Sequence, residues 1–420
     1  MTVRITPSPL YGRIRAIPSK SVAHRAFICA VLSGKPSVIV CDGMSRDIEA
    51  TINCLNALGA KIKSTDNVFE IIPIDKDSNK KASLDCGESG STLRFILPLV
   101  SALGRNAEIY GYGRLPERPL TPLTKELISH GAYIGSSFPL ECGGRLDSGH
   151  FKIAGNISSQ FISGLLLAAP LIGDDCFIEL TTELESKPYI DITVAVMASY
   201  GVKVEYRDNG YFVKNGQSYT APSSYEIEGD WSNAAFWLTC AALGGNGITL
   251  DRLTQNSLQG DRAVCKILAE FGAIVTTEDN TVTVSPAPLK GIDINAANIP
   301  DLVPVLAVAA CGAIGQTRFF NASRLRLKES DRLLAVSDVL GRLGADIIQI
   351  EDGLIINGTG VLKGGRADAM GDHRIAMSLA VAALICKDDV IIDNAETAEK
   401  SYPAFFEHYR ALNGRVSIIN

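Results

Sequence analysis

The stretch LAEFGAIVTTEDNTVTV, residues 268–284, decides the fold because related copies of it recur along the whole chain. Its first half is a helical pattern that stops at Gly272, since glycine readily takes the left-handed conformation that ends a helix. In its second half, polar and apolar residues alternate on both sides of Asp279-Asn280, which predicts a strand, a tight turn and a second strand. The copies place glycines at positions 59, 131, 201, 344 and, in a weaker copy, 414. Spacings of 70 to 72 residues indicate six repeats.

Each repeat also contains a second helix that is much more apolar, such as FISGLLLAAPLIG or VPVLAVAACGAIG. A strand follows each of these helices, so the repeat has the predicted order β-α-β-α-β-β. A helix that is apolar on all sides must be surrounded by protein. Three such helices can pack inside a shell formed by the sheets of three repeats, which predicts an α/β protein with two similar domains of three repeats each.

The composition is that of a globular protein, with 46% hydrophobic and 20% charged residues in a chain of 420. A net charge of −6 gives no sign of nucleic acid or an anionic membrane as a partner. The ten cysteines occur singly, several in apolar runs, as is typical of reduced core thiols. The histidines show no ligand-like spacing, so no structural metal is expected. The N-terminus lacks a signal-peptide pattern and no apolar stretch reaches the length of a membrane span, which favours the cytoplasm.

The apolar helices all begin with polar residues. Their starts are SKSVAHR (19–25), GESGSTLR (87–94), SSQF (158–161), GDWSNA (229–234), IPDLVP (299–304) and GDHRIA (371–376). Helix N-termini carry unpaired N–H groups and a partial positive charge, so several directed at one place would bind an anion. Helix capping alone could account for SSQF and GDWSNA. It does not account for Lys20, Arg25 and Arg374, because the helix dipole repels a nearby cation unless an anion lies between them.

Two further basic clusters lie outside these helices. RLPERPL holds Arg114 and Arg118 beside two prolines, and RLRLKESDRL spans residues 324–333. If the second stretch is helical, Arg324, Lys328 and Arg332 form a like-charged row, which is unfavourable unless something negative lies along it. Glu329 and Asp331 could supply that charge, and a solvated helix face with ion pairs is the alternative interpretation.

Together these motifs resemble those of the 5-enolpyruvylshikimate-3-phosphate synthase family of enolpyruvyl transferases, over essentially the full length. In family order they are SKS..R, SG[ST]..R, ERP, SSQF, SKPYID, EGD.S.A, IPD, KE[ST]DR and GDHR.AM. The resemblance implies two domains of three βαβαββ units, an inside-out α/β barrel arrangement with the active site in a cleft between domains. It places chain crossings near Ile17-Pro18 and Glu228-Gly229. Residues 1–18 plus 229–420 would then form one domain, and residues 19–228 the other.

The resemblance also implies an activity. The enolpyruvyl group of phosphoenolpyruvate would pass to the 5-hydroxyl of shikimate 3-phosphate through a tetrahedral addition-elimination intermediate, with release of phosphate, in the shikimate pathway to chorismate and aromatic amino acids. The implied partners are these two small substrates, with no metal or organic cofactor, no nucleic acid and no membrane, and the implied state is a monomer.

Two alternatives to this activity stay open. The sister transferase moves enolpyruvyl onto UDP-N-acetylglucosamine and relies on a loop cysteine, whereas the corresponding loop here, GYGRLPERPLTP, has none. A non-catalytic phosphometabolite-binding protein on the same scaffold would keep the arginines but could lose the acid and base. Asp301, Glu329 and Lys400 are all present.

The family roles carry over position by position. The residues matched to shikimate 3-phosphate are Lys20, Ser21, Arg25, Ser158, Ser159, Gln160, Ser186, Asp301 and Lys328. The residues matched to phosphoenolpyruvate are Lys20, Gly90, Arg118, Gln160, Arg332, Arg374 and Lys400. Addition needs a base for the hydroxyl and an acid for C3, and elimination needs the reverse. The assignment is Asp301 as base and Glu329 as acid, with Lys20 and Lys400 as alternatives for either step.

Some positions depart from the family pattern. Glu88 replaces a common asparagine, and its charge would repel phosphoenolpyruvate unless it turns away or pairs with a cation. Ser91 keeps the hydroxyl of a common threonine, whereas Arg324 replaces an asparagine near the shikimate moiety, so that contact carries over only weakly. Gly90 is retained, which predicts that glyphosate competes with phosphoenolpyruvate. Arg94 is expected to be a buried structural cation more than a direct ligand.

Overall fold

The computed structural model describes residues 1–75, 80–147 and 149–419. Contacts divide the chain into two compact units. The first unit combines Met1–Ile17 with Glu228–Asn420, and the second unit is the continuous segment Pro18–Ile227. The polypeptide therefore leaves the first unit after 17 residues and returns to it once the second unit is complete.

The secondary structure follows the chain in three stretches. The N-terminal stretch holds β1 (Thr2–Thr6) and β2 (Gly12–Arg15). The second unit holds α1 (Lys20–Val31), β3 (Ser37–Val40), α2 (Arg46–Ala57), β4 (Lys61–Thr65), β5 (Val68–Ile72), β6 (Ala82–Asp85), α3 (Gly90–Leu103), β7 (Ala107–Tyr110), α4 (Thr121–Ser129), β8 (Ala132–Ile134), β9 (Leu140–Gly144), β10 (His150–Ile153), α5 (Ser159–Ala168), β11 (Cys176–Leu180), α6 (Lys187–Ser199), β12 (Glu205–Arg207), β13 (Gly210–Val213) and β14 (Ser224–Glu226). The C-terminal stretch holds α7 (Trp231–Leu243), β15 (Ile248–Asp251), α8 (Val264–Phe271), β16 (Ile274–Glu278), β17 (Thr281–Ser285), β18 (Asp293–Asn295), α9 (Val303–Gly312), β19 (Ile314–Phe320), α10 (Arg332–Arg342), β20 (Asp346–Ile350), β21 (Gly353–Thr359), β22 (Gly365–Asp368), α11 (His373–Ala382), β23 (Val390–Asp393), α12 (Phe405–Ala411) and β24 (Arg415–Ile419). Short 3-10 helices include Gly260–Ala263, Pro300–Leu302, Ser323–Leu327 and Ala395–Lys400.

Across the described residues, the strands form six four-stranded sheets that share one pattern. The sheet β18-β19-β21-β20 is representative, because β18 pairs with β19 in parallel and the other two pairs are antiparallel. In the hairpins β4-β5, β12-β13 and β16-β17 the turn residues Asp66, Asp208 and Asp279 have positive φ angles, as tight hairpin turns require. The predicted β-α-β-α-β-β repeat and the α/β class are confirmed.

Some sheets take a strand from a distant part of the sequence. β14 joins β3 in parallel, and β2 joins β15 in parallel. β1 lies between β23 and β24, with Thr2 opposite Ile419. The sixth copy of the repeat is therefore weak for a physical reason, since the first strand of the chain takes the place that a local strand takes in the other repeats.

The apolar helices form the cores of the units. In the first unit α7, α9 and α11 pack against one another, and in the second unit α3 packs against α5. Every residue of α9 from Val303 to Cys311 is buried. Burying a side chain of leucine or phenylalanine size contributes about 1.5–3 kcal/mol, so tertiary packing fixes these helices. The polar residues at their starts are consequently held in place as well.

Candidate active site

The starts of five apolar helices are capped by a polar side chain of their own motif. The capping side chains, each accepting a hydrogen bond from a backbone N–H of the first helical turn, are Ser19, Ser89, Ser158, Asp230 and Asp372. The capping interpretation is thus right for these residues, including those of SSQF and GDWSNA. It leaves Lys20, Arg25, Arg94 and Arg374 to be explained by other partners.

The start of α9 is the exception. This helix is preceded by the 3-10 segment Pro300–Leu302 and has no side-chain cap, so the carboxylate of Asp301 is not used on the helix itself. Asp301 instead contacts three cations: Arg332 at 2.8 Å, Arg374 at 3.1 Å and Lys328 at 3.6 Å. A carboxylate with three cationic neighbours is suited to chemistry that needs a persistent negative charge.

Arg332 holds this cluster together. Its guanidinium, 2% exposed, donates through Nη1 to Asp301, through Nη2 to Glu329 at 2.8 Å, and through Nε to Asp372 at 2.8 Å. Asp372 is fully buried and also accepts hydrogen bonds from Ser330 and from the backbone N–H of Arg374. One arginine thus fixes the positions of three carboxylates that come from three elements.

The charges in this cluster set its protonation states. Burial raises the pKa of Asp301, but Arg374, Lys328 and Arg332 outweigh burial and hold that pKa well below its usual value. Burial lowers the pKa of Lys328 to about 8, although Asp301 opposes the shift. Asp301 is therefore ionised near neutral pH, and Lys328 is close to its titration range.

The stretch 324–333 is not one continuous helix. Ser323–Leu327 is a 3-10 helix and α10 begins only at Arg332, with Asp331 as its cap. The like-charged row of Arg324, Lys328 and Arg332 therefore does not exist. Arg324 donates to the backbone carbonyl of Ala297, and Lys328 and Arg332 both turn to Asp301. Because Asp331 caps α10, the helix does not extend back over residues 324–330. The charged side chains of this stretch therefore face different partners.

Lys400 ends the 3-10 segment Ala395–Lys400 and is buried. That segment packs against α11, the helix that carries Arg374 in its first turn. A buried lysine at the end of a short irregular segment is consistent with a binding role more than with a solvated surface position.

In the second unit, α1 places two cations differently. Lys20 pairs with Asp47 at 2.8 Å, and both side chains are largely buried. Arg25 is 2% exposed and donates to Thr193 Oγ1 at 2.6 Å, to Ser163 Oγ at 3.4 Å, and to the carbonyls of Ser21 and Tyr189. All four acceptors are neutral oxygens. Burial lowers the pKa of Arg25 to about 10. An external anion would stabilise the charged guanidinium and oppose this shift.

The start of α3 is shaped by Gly90. A Cβ added at this glycine would lie 2.5 Å from Nη1 of Arg94 and 2.7 Å from Nη1 of Arg118. Arg94 donates to Oε1 of Gln160 at 2.8 Å and to the carbonyl of Pro119 at 3.3 Å. It is buried and thus acts on Gln160, as expected for a structural cation.

Gln160 and the neighbouring serines are also held by their contacts. The amide of Gln160 accepts from Arg94 and donates to Ser91 Oγ at 2.8 Å, which fixes its orientation. Ser158 caps α5 and Ser159 is its first residue. Ser186 precedes α6 in the left-handed region, with φ of +54°, and is buried. Gly90, Arg118 and Gln160 therefore share one end of the second unit's core helices.

Glu88 turns toward the loop at Gly113. An added Cβ at Gly113 would lie 2.6 Å from Oε1 of Glu88, and the Glu88 side chain is exposed. The charge that is unfavourable beside Gly90 in the sequence is thus placed against a second glycine, Gly113.

Several functional neighbours were not identified from the sequence. Asp47 and Asp372 hold Lys20 and Arg332. Asp372 precedes an apolar helix, which predicts a cap but not a pairing partner from a distant element, and Asp47 lies within α2, where its position gives no local signal at all.

Other kinds of site receive no support from the described residues. Within them, no group of three or more His, Cys, Asp or Glu side chains is placed to hold a metal ion. A bilayer-spanning helix needs about 20 apolar residues, and the helices of the described segments do not meet that requirement.

The known proteins that resemble this chain belong to one family. The model of the family EPSP synthase (3-phosphoshikimate 1-carboxyvinyltransferase) matches residues 5–409. The chain is similar to the 3-phosphoshikimate 1-carboxyvinyltransferase of Clostridium kluyveri, with 43% identity covering 99% of the chain and 98% of that relative. It is 44% identical to the enzyme of the same name from Clostridium perfringens strain 13, covering 98% of each. The solved structure of EPSP synthase from Acinetobacter baumannii superimposes with a TM-score of 0.83 at 25% identity, covering 99% of the chain and 100% of that structure.

Proposed function

The chain belongs to the EPSP synthase family, and from that premise we propose how its side chains divide the reaction among them. The protein is an enolpyruvyl transferase of the shikimate pathway. It transfers the enolpyruvyl group of phosphoenolpyruvate to shikimate 3-phosphate, and phosphate is the second product. The roles below explain why each type of residue is needed.

The second unit supplies most of the groups proposed to hold shikimate 3-phosphate. These are Lys20, Ser21, Arg25, Ser158, Ser159, Gln160 and Ser186, with Asp301 and Lys328 from the first unit. The contacts of Arg25 support this role, because within the described residues its buried guanidinium donates hydrogen bonds to four neutral oxygens. A phosphate dianion would supply the missing negative charge.

Phosphoenolpyruvate is proposed to bind mainly to cationic side chains. The residues are Lys20, Gly90, Arg118, Gln160, Arg332, Arg374 and Lys400. Gly90 supports the proposal because the guanidinium groups of Arg94 and Arg118 lie where its side chain would be. Because Gly90 leaves these cations undisturbed, glyphosate should bind to them in competition with phosphoenolpyruvate, and phosphoenolpyruvate-competitive inhibition by glyphosate tests this. Absence of inhibition at millimolar glyphosate would contradict it.

Asp301 is the proposed base for the 5-hydroxyl of shikimate 3-phosphate. Its depressed pKa keeps it ionised, as a base must be before it accepts a proton, but also makes it a weak base. Arg332 and Arg374 are shared between Asp301 and the proposed phosphoenolpyruvate site. If both arginines turn toward the carboxylate and phosphate of the ligand, Asp301 loses stabilising charge and becomes more basic when the substrate is bound.

Glu329 is the proposed acid for C3 of phosphoenolpyruvate. It accepts a hydrogen bond from Arg332 at 2.8 Å, so the same movement of Arg332 would free it to carry a proton. In the elimination step the roles reverse, as C3 returns a proton while phosphate leaves. Lys20 and Lys400 are the alternative proton carriers for either step.

The triple pairing of Arg332 carries this proposal, because it joins the proposed base, the proposed acid and a proposed phosphoenolpyruvate ligand in one contact network. The test is release of inorganic phosphate from phosphoenolpyruvate with shikimate 3-phosphate as acceptor. UDP-N-acetylglucosamine serves as the alternative acceptor. Phosphate release with the sugar nucleotide and none with shikimate 3-phosphate would overturn the assignment.

The enzyme is further proposed to act as a monomer in the cytoplasm. All ten cysteines lie within the described residues and none is in a disulfide, which fits a reducing compartment. Light scattering of the full chain tests the monomeric state, and cell fractionation tests the location.

A further inference from the structure

Asp261 is a buried carboxyl group that the proposed mechanism does not use. It lies in the 3-10 segment Gly260–Ala263 and is 2% exposed. Its Oδ2 accepts a hydrogen bond from Ser232 Oγ at the start of α7, and its Oδ1 has no hydrogen-bond partner among the described residues. Asp261 therefore has less polar stabilisation than a buried carboxylate normally receives.

The neighbouring acids are bonded differently. Asp301, Glu329 and Asp372 each accept a hydrogen bond from Arg332, whereas Asp261 has no cation within ion-pair distance in the described part of the chain. Burying an unpaired carboxylate costs several kcal/mol, and a carboxyl group avoids most of that cost by keeping its proton.

The groups around Asp261 include some that raise its pKa and others that lower it. Burial raises the pKa of Asp261 to about 7, the negative charge of Asp301 adds to the shift, and Arg374 opposes it. Asp230 at the start of α7 is a second negative neighbour. On α8, Lys266 faces solvent and pairs with Glu270, so it does not compensate Asp261.

We propose that Asp261 is a positioning residue that carries a proton in the resting enzyme, and that its neutral state keeps Arg374 directed to Asp301 and to phosphoenolpyruvate. This inference rests on the roles proposed above for Asp301 and Arg374. Arg374 already donates to both the carboxylate and the backbone carbonyl of Asp301. An ionised Asp261 would compete for the same guanidinium, so phosphoenolpyruvate would bind more weakly as pH rises.

The kinetic test uses Asp261→Asn, which has nearly the same shape and cannot ionise. Between pH 6 and 8.5 the KM for phosphoenolpyruvate of the unmodified enzyme should rise about fivefold more than that of the variant, a coupling at the low end for interacting sites. Lys328 titrates in the same range but is present in both proteins, so the difference between the two profiles isolates Asp261. Asp251→Asn is the matched control, because Asp251 is paired with Arg13 at the surface.

Infrared difference spectroscopy of the enzyme without substrates detects the protonated form of Asp261 directly. The carbonyl band of a protonated carboxylic acid should be present at pH 6, decline by pH 8.5, and be missing in Asp261→Asn but not in Asp251→Asn. Ser232→Ala removes the one hydrogen bond to the carboxyl, so it should move the loss of the band to higher pH. This second variant keeps the test decisive if Asp261→Asn does not fold.

The outcomes separate the possibilities. A band absent throughout this pH range means that Asp261 is ionised, and the inference fails. A titrating band with parallel KM profiles overturns the coupling to Arg374. If the unmodified enzyme releases no phosphate with shikimate 3-phosphate, the proposed function fails, while the infrared result still decides whether Asp261 holds a proton.

Discussion

Arg25 and Arg332 are buried arginines, one in each compact unit, and their partners are of opposite kinds. Arg25 donates to four neutral oxygens, and burial lowers its pKa to about 10. Arg332 contacts three carboxylates, which raise its pKa despite complete burial. None of these four partners of Arg25 carries a negative charge, whereas three carboxylates lie against Arg332.

The comparison suggests a division of labour between the two units. A cation held by neutral oxygens is suited to binding a phosphate, because nothing in the protein competes with the ligand. A cation held by several acids is suited to proton transfer, because moving it changes the basicity of those acids. Substitutions at these residues and their neighbours test this contrast.

Arg332→Ala should have the largest effect. It leaves Asp301, Glu329 and Asp372 without their shared cation, and removing one partner from a buried ion pair costs about 3–5 kcal/mol. Chemical denaturation followed by tryptophan fluorescence measures this, because both tryptophans of the chain, Trp231 and Trp237, lie in the first unit. Transferase activity should be lost as well.

The control for Arg332→Ala lies at the other end of the same helix. Arg342 pairs with Asp338 at the surface, so Arg342→Ala should change the unfolding free energy of the first unit by less than about 0.5 kcal/mol. Equal effects of the two substitutions would mean that the buried network adds nothing beyond an exposed ion pair.

Asp301→Asn should lower kcat by about 10²- to 10⁴-fold, the usual contribution of a general base, with a much smaller change in KM. Arg25→Lys is the contrasting change in the second unit. Lysine cannot reproduce the four hydrogen bonds of Arg25, so this variant should chiefly raise the KM for shikimate 3-phosphate. Steady-state kinetics in both substrates measures the difference. A kcat effect from Arg25→Lys as large as that from Asp301→Asn would remove the proposed division of labour.

Gly90→Ala should raise the KM for phosphoenolpyruvate and the inhibition constant of glyphosate, each by about tenfold, or 1.4 kcal/mol. The reason is steric, because the new methyl group would lie 2.5 Å from Arg94 Nη1 and 2.7 Å from Arg118 Nη1 and would displace at least one of them. Gly34→Ala is the control, since a Cβ there meets nothing within 4 Å. An unchanged KM in Gly90→Ala would exclude this steric account.

Glu88→Gln should have the smallest effect, less than about twofold on the KM for phosphoenolpyruvate, because an exposed charge is strongly screened. The side chain lies against Gly113. Kinetics at low and high ionic strength measure the charge effect directly. A tenfold decrease in KM would show that Glu88 does repel the ligand in solution.

The fold could be predicted from the sequence because its signals are local. The glycine at the end of each amphipathic helix and the Asp-Asn or Asp-Gly turns that follow four of them are fixed by backbone sterics within a few residues. The burial of helices such as α9 follows from their composition alone. The placement of β1 beside β23 could not be derived in this way, since nothing within the first six residues specifies a partner nearly 400 residues away.

The candidate site could be predicted only in part, for the same reason. The helix starts identified Lys20, Arg25 and Arg374, because a cation in that position conflicts with the helix dipole. The pairings Lys20 with Asp47 and Arg332 with Asp372 join separate elements and depend on tertiary packing. The condition of a helix across residues 324–333 is not met, because Asp331 caps α10 and the residues before it form a 3-10 segment and a loop.

The position of β1 has a consequence for how the protein is made. The second unit is one continuous segment and can fold as soon as it has left the ribosome. The sheet that contains β1 needs β24, whose last residue is Ile419, so β1 must stay unpaired until β24 has been synthesised. During that interval β1 presents the apolar residues Val3 and Ile5 without their final neighbours, which makes this strand a natural binding segment for chaperones.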